Sequence, residues 1–256
     1  MKNYLLIILI LFISSCKSDD VENETPNGEM YFPSINSSSW QTQSPSSLQW
    51  NENEIQTLYD YLDSKGTKGF IILKDGKIVI EKYFNGHSQS AKQNWYSAAK
   101  TLTSITVGIA QQEGFLNIND KTSDYLGMNW TSLTLEKENL ISIRHQLSMT
   151  SGMNDSNFTA TNPTDLTYIT DAGTRWAYHN GPYILLQEVI TQATNQTYKN
   201  YFEEKVENKI GMNGFWFAVG DLHIYRSTTR DMARFGHLIL NKGKWNEDKI
   251  INNSFF

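Results

Sequence analysis

Residues 94–114, NWYSAAKTLTSITVGIAQQEG, decide how the chain is read. A polar turn gives way at Ser97 to Ala98 and Ala99. Leu102, Ile105 and Ile109 follow at helical spacing before Gly114, a residue suited to the left-handed backbone past a helix end. The pattern predicts a buried helix with Ser97 in its first turn. Lys100 stands three residues on, so hydroxyl and amine leave the same face about one turn apart. A serine hydroxyl becomes a useful nucleophile only when a base takes its proton, and a lysine serves as that base when burial or nearby charge disfavours its ammonium form. Ser97 and Lys100 are therefore candidate nucleophile and base. Ser-x-x-Lys alone is a common pattern, since Ser14 and Lys17 also match it, so the rest of the chain must support the reading.

With 256 residues, 39% hydrophobic and 12% aromatic, the chain has enough apolar side chain for a core of one large domain or two small ones. The net charge of −5 comes without a basic run to follow a phosphate backbone, which argues against nucleic acid and for a small-molecule or peptide substrate. Residues 1–15 read as a signal peptide: Lys2 supplies positive charge, residues 4–13 are continuously apolar, and Ser14-Ser15 are small. The segment Ile13-Ser14-Ser15-Cys16 resembles the lipobox of bacterial lipoproteins, in which the cysteine carries the lipid. Cys16 is the only cysteine, so no disulfide framework is expected and lipid attachment accounts for it. A plain signal peptide cut nearby is the alternative. The expected location is the cell envelope, lipid-anchored on its periplasmic side or at the cell surface. Residues 16–48 are polar, with Pro26, Pro33 and Pro45 and no sustained periodicity, and read as a tether. Residues 49–256 read as the folded domain.

That domain opens with Ile55, Leu58, Tyr59 and Leu62 on a first helix that stops at Gly66. A hairpin follows, with Asp75-Gly76 as its turn between residues 70–73 and 77–83. Further on, Ser142 caps a helix from 143 to near 150, Pro182 opens another through Ile190, residues 197–210 form an amphipathic helix, and Thr228 with Asp231 marks a capping box. A two-stranded hairpin is marginal in water, yet residues 215–219 are the one later strand candidate. The sheet lacks partners on this reading, and the chain ends at Phe255-Phe256 where a helix looks about to start. The expectation is a C-terminally truncated domain.

A second constellation is Trp176-Ala177-Tyr178-His179-Asn180-Gly181-Pro182, a loop leading into the Pro182 helix. A tyrosine beside a serine and lysine can relay a proton to a leaving group, and an asparagine amide can hold a carbonyl or the lysine. Tyr198-Lys199-Asn200 fits the same Tyr-x-Asn spacing but falls on the amphipathic helix, where a solvated face explains it. Ser97-Ala98-Ala99-Lys100 followed by Tyr178-His179-Asn180 resembles the serine hydrolases related to class C β-lactamases. That family includes penicillin-binding DD-peptidases, certain esterases and 6-aminohexanoate-dimer hydrolases. Residues 113–120, 141–153 and 227–236 look like its recurrent segments in its order.

The resemblance implies an α+β, β-lactamase/transpeptidase-like fold: an antiparallel sheet flanked by helices, a mostly helical second region, and the site between them. It implies that Ser97 forms an acyl-enzyme, Lys100 takes its proton, Tyr178 acts as acid or base, and Asn180 binds substrate or orients Lys100. The Ser97 backbone amide would donate half of an oxyanion hole. The family's third element, a Lys or His followed by Ser/Thr-Gly on a late strand, does not occur after Asn180, which agrees with the truncated reading. No cofactor is implied.

Metal catalysis finds little support, because the five histidines show no His-x-x-x-His or His-Glu-x-x-His spacing. His145 and His237 read as structural, and His179 as a candidate cleft residue. Gly-x-Ser-x-Gly is absent, which argues against an α/β-hydrolase. The leading expectation is a lipid-anchored serine hydrolase acting on amide, ester or lactam bonds. The alternatives are a DD-peptidase or β-lactamase proper, and a non-catalytic surface-binding lipoprotein of the same fold.

Overall fold

The computed structural model of the chain describes residues 30–255, so the signal-peptide reading and Cys16 lie outside the described residues. The expected central helix is present as α2 (Ala99–Gln112), and Gly114 follows it with φ +80°. Nine of its residues are buried, among them Leu102, Val107 and Ala110 at 0% exposure, so the helix has almost no solvent face. Such a helix must be wrapped on all sides. The helix Leu186–Thr194 contributes Leu186, Val189 and Ile190 to that wrapping, the segment 198–210 contributes Tyr201, Phe202, Val206 and Ile210, and the helix Thr229–Leu240 contributes Phe235 and Leu238. A smaller cluster of Trp130, Leu133, Ile141, Met153 and Leu166 sits beneath the loops of the helical region.

Most of the expected elements stand where the residue patterns put them. The first helix is α1 (Ile55–Ser64), and Ser142 caps a short helix, Ile143–Leu147, through a box completed by the His145 ring. The capping box at Thr228 and Asp231 opens the helix Thr229–Leu240. The Pro182 helix is broken, running as Asn180–Ile184 and then Leu186–Thr194. The amphipathic segment ends on Gly211 as expected, with a π-helical turn at Glu203–Glu207 in its middle. Tyr198 is a correction: it is 6% exposed within the core rather than on a solvated face, its hydroxyl meeting the Thr103 hydroxyl at 3.1 Å.

Two corrections concern the sheet. Strands β1 (Gly69–Lys74) and β2 (Lys77–Tyr83) pair antiparallel across Asp75 and Gly76, whose φ angles of +49° and +79° suit a tight primed turn. A second sheet has the order β3-β5-β4, from β3 (Lys92–Asn94), β4 (Phe215–Val219) and β5 (Leu222–Thr228). Residues 215–219 are therefore not the one later strand. Strand β5 runs straight into a helix cap and buries both Ile224 and Tyr225, so it lacks the clean alternation that betrays a half-buried strand.

The second correction is that residues 30–48 do not behave as a free tether. Ile78 donates to the Gln41 carbonyl at 2.9 Å and Gln43 donates to the Ile78 carbonyl at 2.9 Å, so the segment lies beside β2 in a parallel bridge. The hairpin that lacked partners thus takes one from the N-terminal side. Trp40, 7% exposed, donates its indole N–H to the Gly76 carbonyl at 2.7 Å. At Gly76 a side chain would run into the Tyr31 carbonyl, so glycine serves the turn and the close approach together.

Arg234 holds this segment down. Its guanidinium is buried, donates to the carbonyls of Ile210 (2.8 Å), Ser34 (2.9 Å) and Ser37 (3.1 Å), and lies over the Trp40 and Trp245 rings. Arg230, one turn earlier, forms a fork onto Glu81 of β2 with both bonds at 2.7 Å. Replacing Arg234 with methionine keeps most of the packing volume and leaves these carbonyls without a donor. Arg234→Met is expected to lower unfolding free energy by about 3 kcal/mol in urea titrations. A loss under about 0.5 kcal/mol would show that the clasp is replaced by water at no cost.

Candidate active site

Ser97 owes its place to Trp95. The Trp95 amide donates to the Tyr225 carbonyl at 2.8 Å, its indole donates to the Ser227 hydroxyl at 2.8 Å, and its ring meets Tyr225 and Phe235 edge-on. The chain then turns through a short 3₁₀ segment, Tyr96–Ala98, into α2, so Ser97 lies just before the α-helix proper and is exposed. Lys100 is half-buried one turn on, its ammonium 3.5 Å from the Ser97 hydroxyl.

Tyr178 comes from the far side, 81 residues along the chain, and its hydroxyl donates to the Ser97 oxygen at 2.7 Å. Lys100 Nζ sits 5.2 Å from the Tyr178 ring centroid and 5.7 Å from that of Tyr183, within cation–π range of both. Burial alone would push the Tyr178 hydroxyl up. The Ser97 hydrogen bond and the Lys100 ammonium outweigh that and hold it below the ordinary tyrosine value of 10.0.

Asn180 opens the helix Asn180–Ile184 and is 5% exposed, with its amide N–H bonded to the Phe158 carbonyl at 2.7 Å. Its side-chain Oδ1 is buried with no partner among the described residues, and the residue lines a cavity of about 90 Å³ together with Ser97 and Lys100. Among the described residues it makes no hydrogen bond to Lys100. Gly181 next to it cannot carry a side chain, which would strike the Ala160 carbonyl, and this lets the 158–160 loop close down on the site.

His179 does not line that cavity. Its backbone is extended (φ −132°, ψ 108°), so successive side chains face opposite ways, and His179 turns inward to 3% exposure where burial pushes its pKa down. His145 and His237 are structural, as expected: one completes a helix cap and the other meets the Tyr31 carbonyl at 3.0 Å. Among the described residues no group of His, Cys, Asp or Glu is arranged to hold a metal.

Sequence reasoning brought Ser97, Lys100, Tyr178 and Asn180 forward, and the structure brings all four to one place. It missed Tyr183 and His223, which also line the cavity, and it set Trp216, a third lining residue, among aromatics whose default is core packing. Tyr183 was within reach of a sequence reading, since it follows Asn180 by three helical positions. Trp216 and His223 enter only because the β4–β5 hairpin folds across the mouth of α2.

The family model described as Beta-lactamase matches residues 60–254. The chain belongs to the beta-lactamase family. Solved structures resemble it at low identity. One is titled "Putative 6-aminohexanoate-dimer hydrolase from Bacillus anthracis", with 22% identity and a TM-score of 0.65, covering 77% of this chain and 60% of its own. An octameric penicillin-binding protein homologue from Pyrococcus abyssi follows at 15% identity and TM-score 0.66, covering 79% of this chain and 58% of its own. A penicillin binding protein from Bacillus halodurans has 15% identity and TM-score 0.62, with 77% and 76% covered. These likenesses show the shared fold, and the chain spans about 60% of the length of the first of them. No curated protein matches the chain in sequence.

The lowered Tyr178 pKa has a consequence for rate. The phenolate is the form that accepts a proton, so the rate at which a fluorophosphonate labels Ser97 is expected to rise with pH through an apparent pKa below 10.0. Lys100→Met is expected to move that limb to higher pH, because the ammonium that favours the phenolate is gone. Tyr178→Phe is expected to remove the limb and lower the labelling rate by roughly 10²–10⁴-fold. A limb that stays in place in Lys100→Met would separate Tyr178 from the proton transfer.

Proposed function

We propose that this protein is a lipid-anchored serine hydrolase that cleaves amide, ester or lactam bonds through an acyl-enzyme on Ser97. The observation that carries the reading is the convergence on the Ser97 oxygen of Tyr178 at 2.7 Å and Lys100 at 3.5 Å, from elements far apart in the chain. Ser97 Oγ attacks the substrate carbonyl while the phenolate form of Tyr178, favoured by the Lys100 ammonium, takes its proton, and the same proton goes to the leaving group as its bond to the acyl carbon breaks, which restores the phenolate. A water then repeats the sequence, giving up a proton to Tyr178 and releasing the acid. The sequence reading assigned the first proton to Lys100; the Tyr178 oxygen lies nearer to Ser97 Oγ than the Lys100 nitrogen does, and once ionised it is the closer acceptor. Asn180 lines the cavity with a buried, unpartnered Oδ1, and once a substrate turns that oxygen towards it, Oδ1 would accept from a substrate N–H.

The substrate is a small molecule or peptide, and the lipobox-like sequence at Cys16 supports attachment to a membrane at the cell envelope. The structural neighbours carry names ranging from dimer hydrolase to penicillin-binding protein, so a DD-peptidase or β-lactamase activity falls within the reading. The test is labelling of the full protein with a fluorophosphonate and with a labelled penicillin, read by intact mass, alongside Ser97→Ala and Lys100→Ala. One adduct per chain that Ser97→Ala abolishes is the expected result, and a penicillin adduct would select the lactam-recognising branch. Folded protein that takes neither probe would sink the hydrolase reading in favour of a binding lipoprotein. The same mass measurement on membrane-extracted material, compared with Cys16→Ser, is expected to show the added lipid.

A further inference from the structure

The residue just before Ser97 stands in a backbone conformation that its side chain disfavours. Tyr96 has φ +47°, in the left-handed region that glycine and asparagine tolerate and aromatic residues rarely adopt. Its neighbour Trp95 shows what a large aromatic residue gains when it packs. Trp95 is 7% exposed, with an indole hydrogen bond and two aromatic contacts, whereas Tyr96 is 67% exposed and its ring packs on no other aromatic ring among the described residues. The fold therefore carries strain at Tyr96 without core packing to offset it.

Tyr96 nonetheless lines the cavity that holds Ser97, Lys100 and Asn180, and it is the most exposed large apolar side chain of that lining, at the outer edge. The inner part is walled by apolar groups, among them Ala99, Ile184, Leu222 and Ile224. Its volume of about 90 Å³ is less than the roughly 150 Å³ of an engineered cavity that holds benzene. A short acyl group attached to Ser97 fits inside. A ring-bearing one needs more room than that, and Tyr96 is the exposed aromatic side chain of the lining.

We propose that Tyr96 determines acyl specificity: its ring forms the outer wall of the acyl cavity and stacks on planar apolar acyl groups, so that aryl-acyl donors are preferred over acetyl donors. The inference rests on the acyl-enzyme reading of Ser97. The strained backbone is then the condition for presenting an aromatic face at the mouth of the site while Trp95 anchors the turn from inside.

The experiment compares kcat/KM for para-nitrophenyl phenylacetate and para-nitrophenyl acetate in the wild type, Tyr96→Gly, Tyr96→Asn and Tyr96→Phe. Tm and fluorophosphonate labelling are recorded for each. The phenylacetate-to-acetate ratio is expected to fall about tenfold in the glycine and asparagine variants and to stay within about twofold of wild type in Tyr96→Phe. Their Tm is expected to equal or exceed that of the wild type, because both residues accept the left-handed conformation. An unchanged ratio overturns the proposal, as does an equal fall with both esters, which would mean that Tyr96 acts through the placement of Ser97. A lower Tm in both variants also overturns it, because the ring would then be holding the fold. Wild-type protein that no fluorophosphonate labels would bring down the acyl-enzyme reading and this inference together, whereas labelled protein with an unchanged ratio brings down the inference alone.

Discussion

A helix buried on every side can end at solvent only at its tips, and α2 is such a helix. Leu102, Val107 and Ala110 are fully enclosed, and at Gly108 the side chains of Ile251 and Phe255 come so close that a Cβ would stand 2.7 Å from each. Buried aliphatic side chains contribute roughly 1.5–3 kcal/mol apiece, so turning or sliding this helix would cost several of them at once. Its buried threonines are satisfied locally, Thr106 on the Leu102 carbonyl at 2.7 Å and Thr103 on the Tyr198 hydroxyl. The N-terminal tip is thereby fixed in space, and Ser97 sits on that tip. A nucleophile at such a position needs no lid or loop to hold it.

The rest of the site is brought to that tip by elements tied together at a distance. Strand β5, which supplies Leu222, His223 and Ile224 to the cavity, continues without a loop into the helix Thr229–Leu240. That helix is pinned by the Thr228–Asp231 cap, by the Arg230–Glu81 fork to β2, and by the Arg234 clasp on residues 33–37. The register of the cavity wall thus depends on charged side chains that face away from it. Neither arginine is a surface ornament. The Arg230–Glu81 side chains are each 17% exposed, and a two-bond fork between ionised groups at that burial is stronger than an exposed ion pair.

At the site itself, the arrangement resolves a conflict between burial and charge. Partial burial opposes a phenolate at Tyr178, and the Ser97 hydrogen bond together with the Lys100 ammonium, placed near two tyrosine rings, reverses the balance. The extended backbone at residue 179 lets Tyr178 face Ser97 while His179 is turned into the interior. Asn180 then begins a helix, so its side chain is held at the cavity by the same turn that buries Gly181 against Ala160.

Helical spacing and caps were written plainly enough in the chain to be read without coordinates. Leu102, Ile105 and Ile109 with Gly114 defined α2, Asp75-Gly76 defined the hairpin turn, and Thr228 with Asp231 defined a helix start, because each depends on neighbours within a few residues. Ser97 and Lys100 were legible for the same reason, being one helical turn apart. Tyr178 and Asn180 stood out as a polar pair in a loop before a helix, but only the resemblance linked them to Ser97, since nothing local ties them to it. Strand β5, the parallel addition of residues 41–43 to β2, the Arg234 clasp and the inward turn of His179 were settled by tertiary structure alone. Each depends on which distant surface the segment meets, and a polar stretch such as residues 30–48 carries no periodicity that would announce it. Periodicity encodes which face of an element is buried, and only the folded chain decides what that face is buried against.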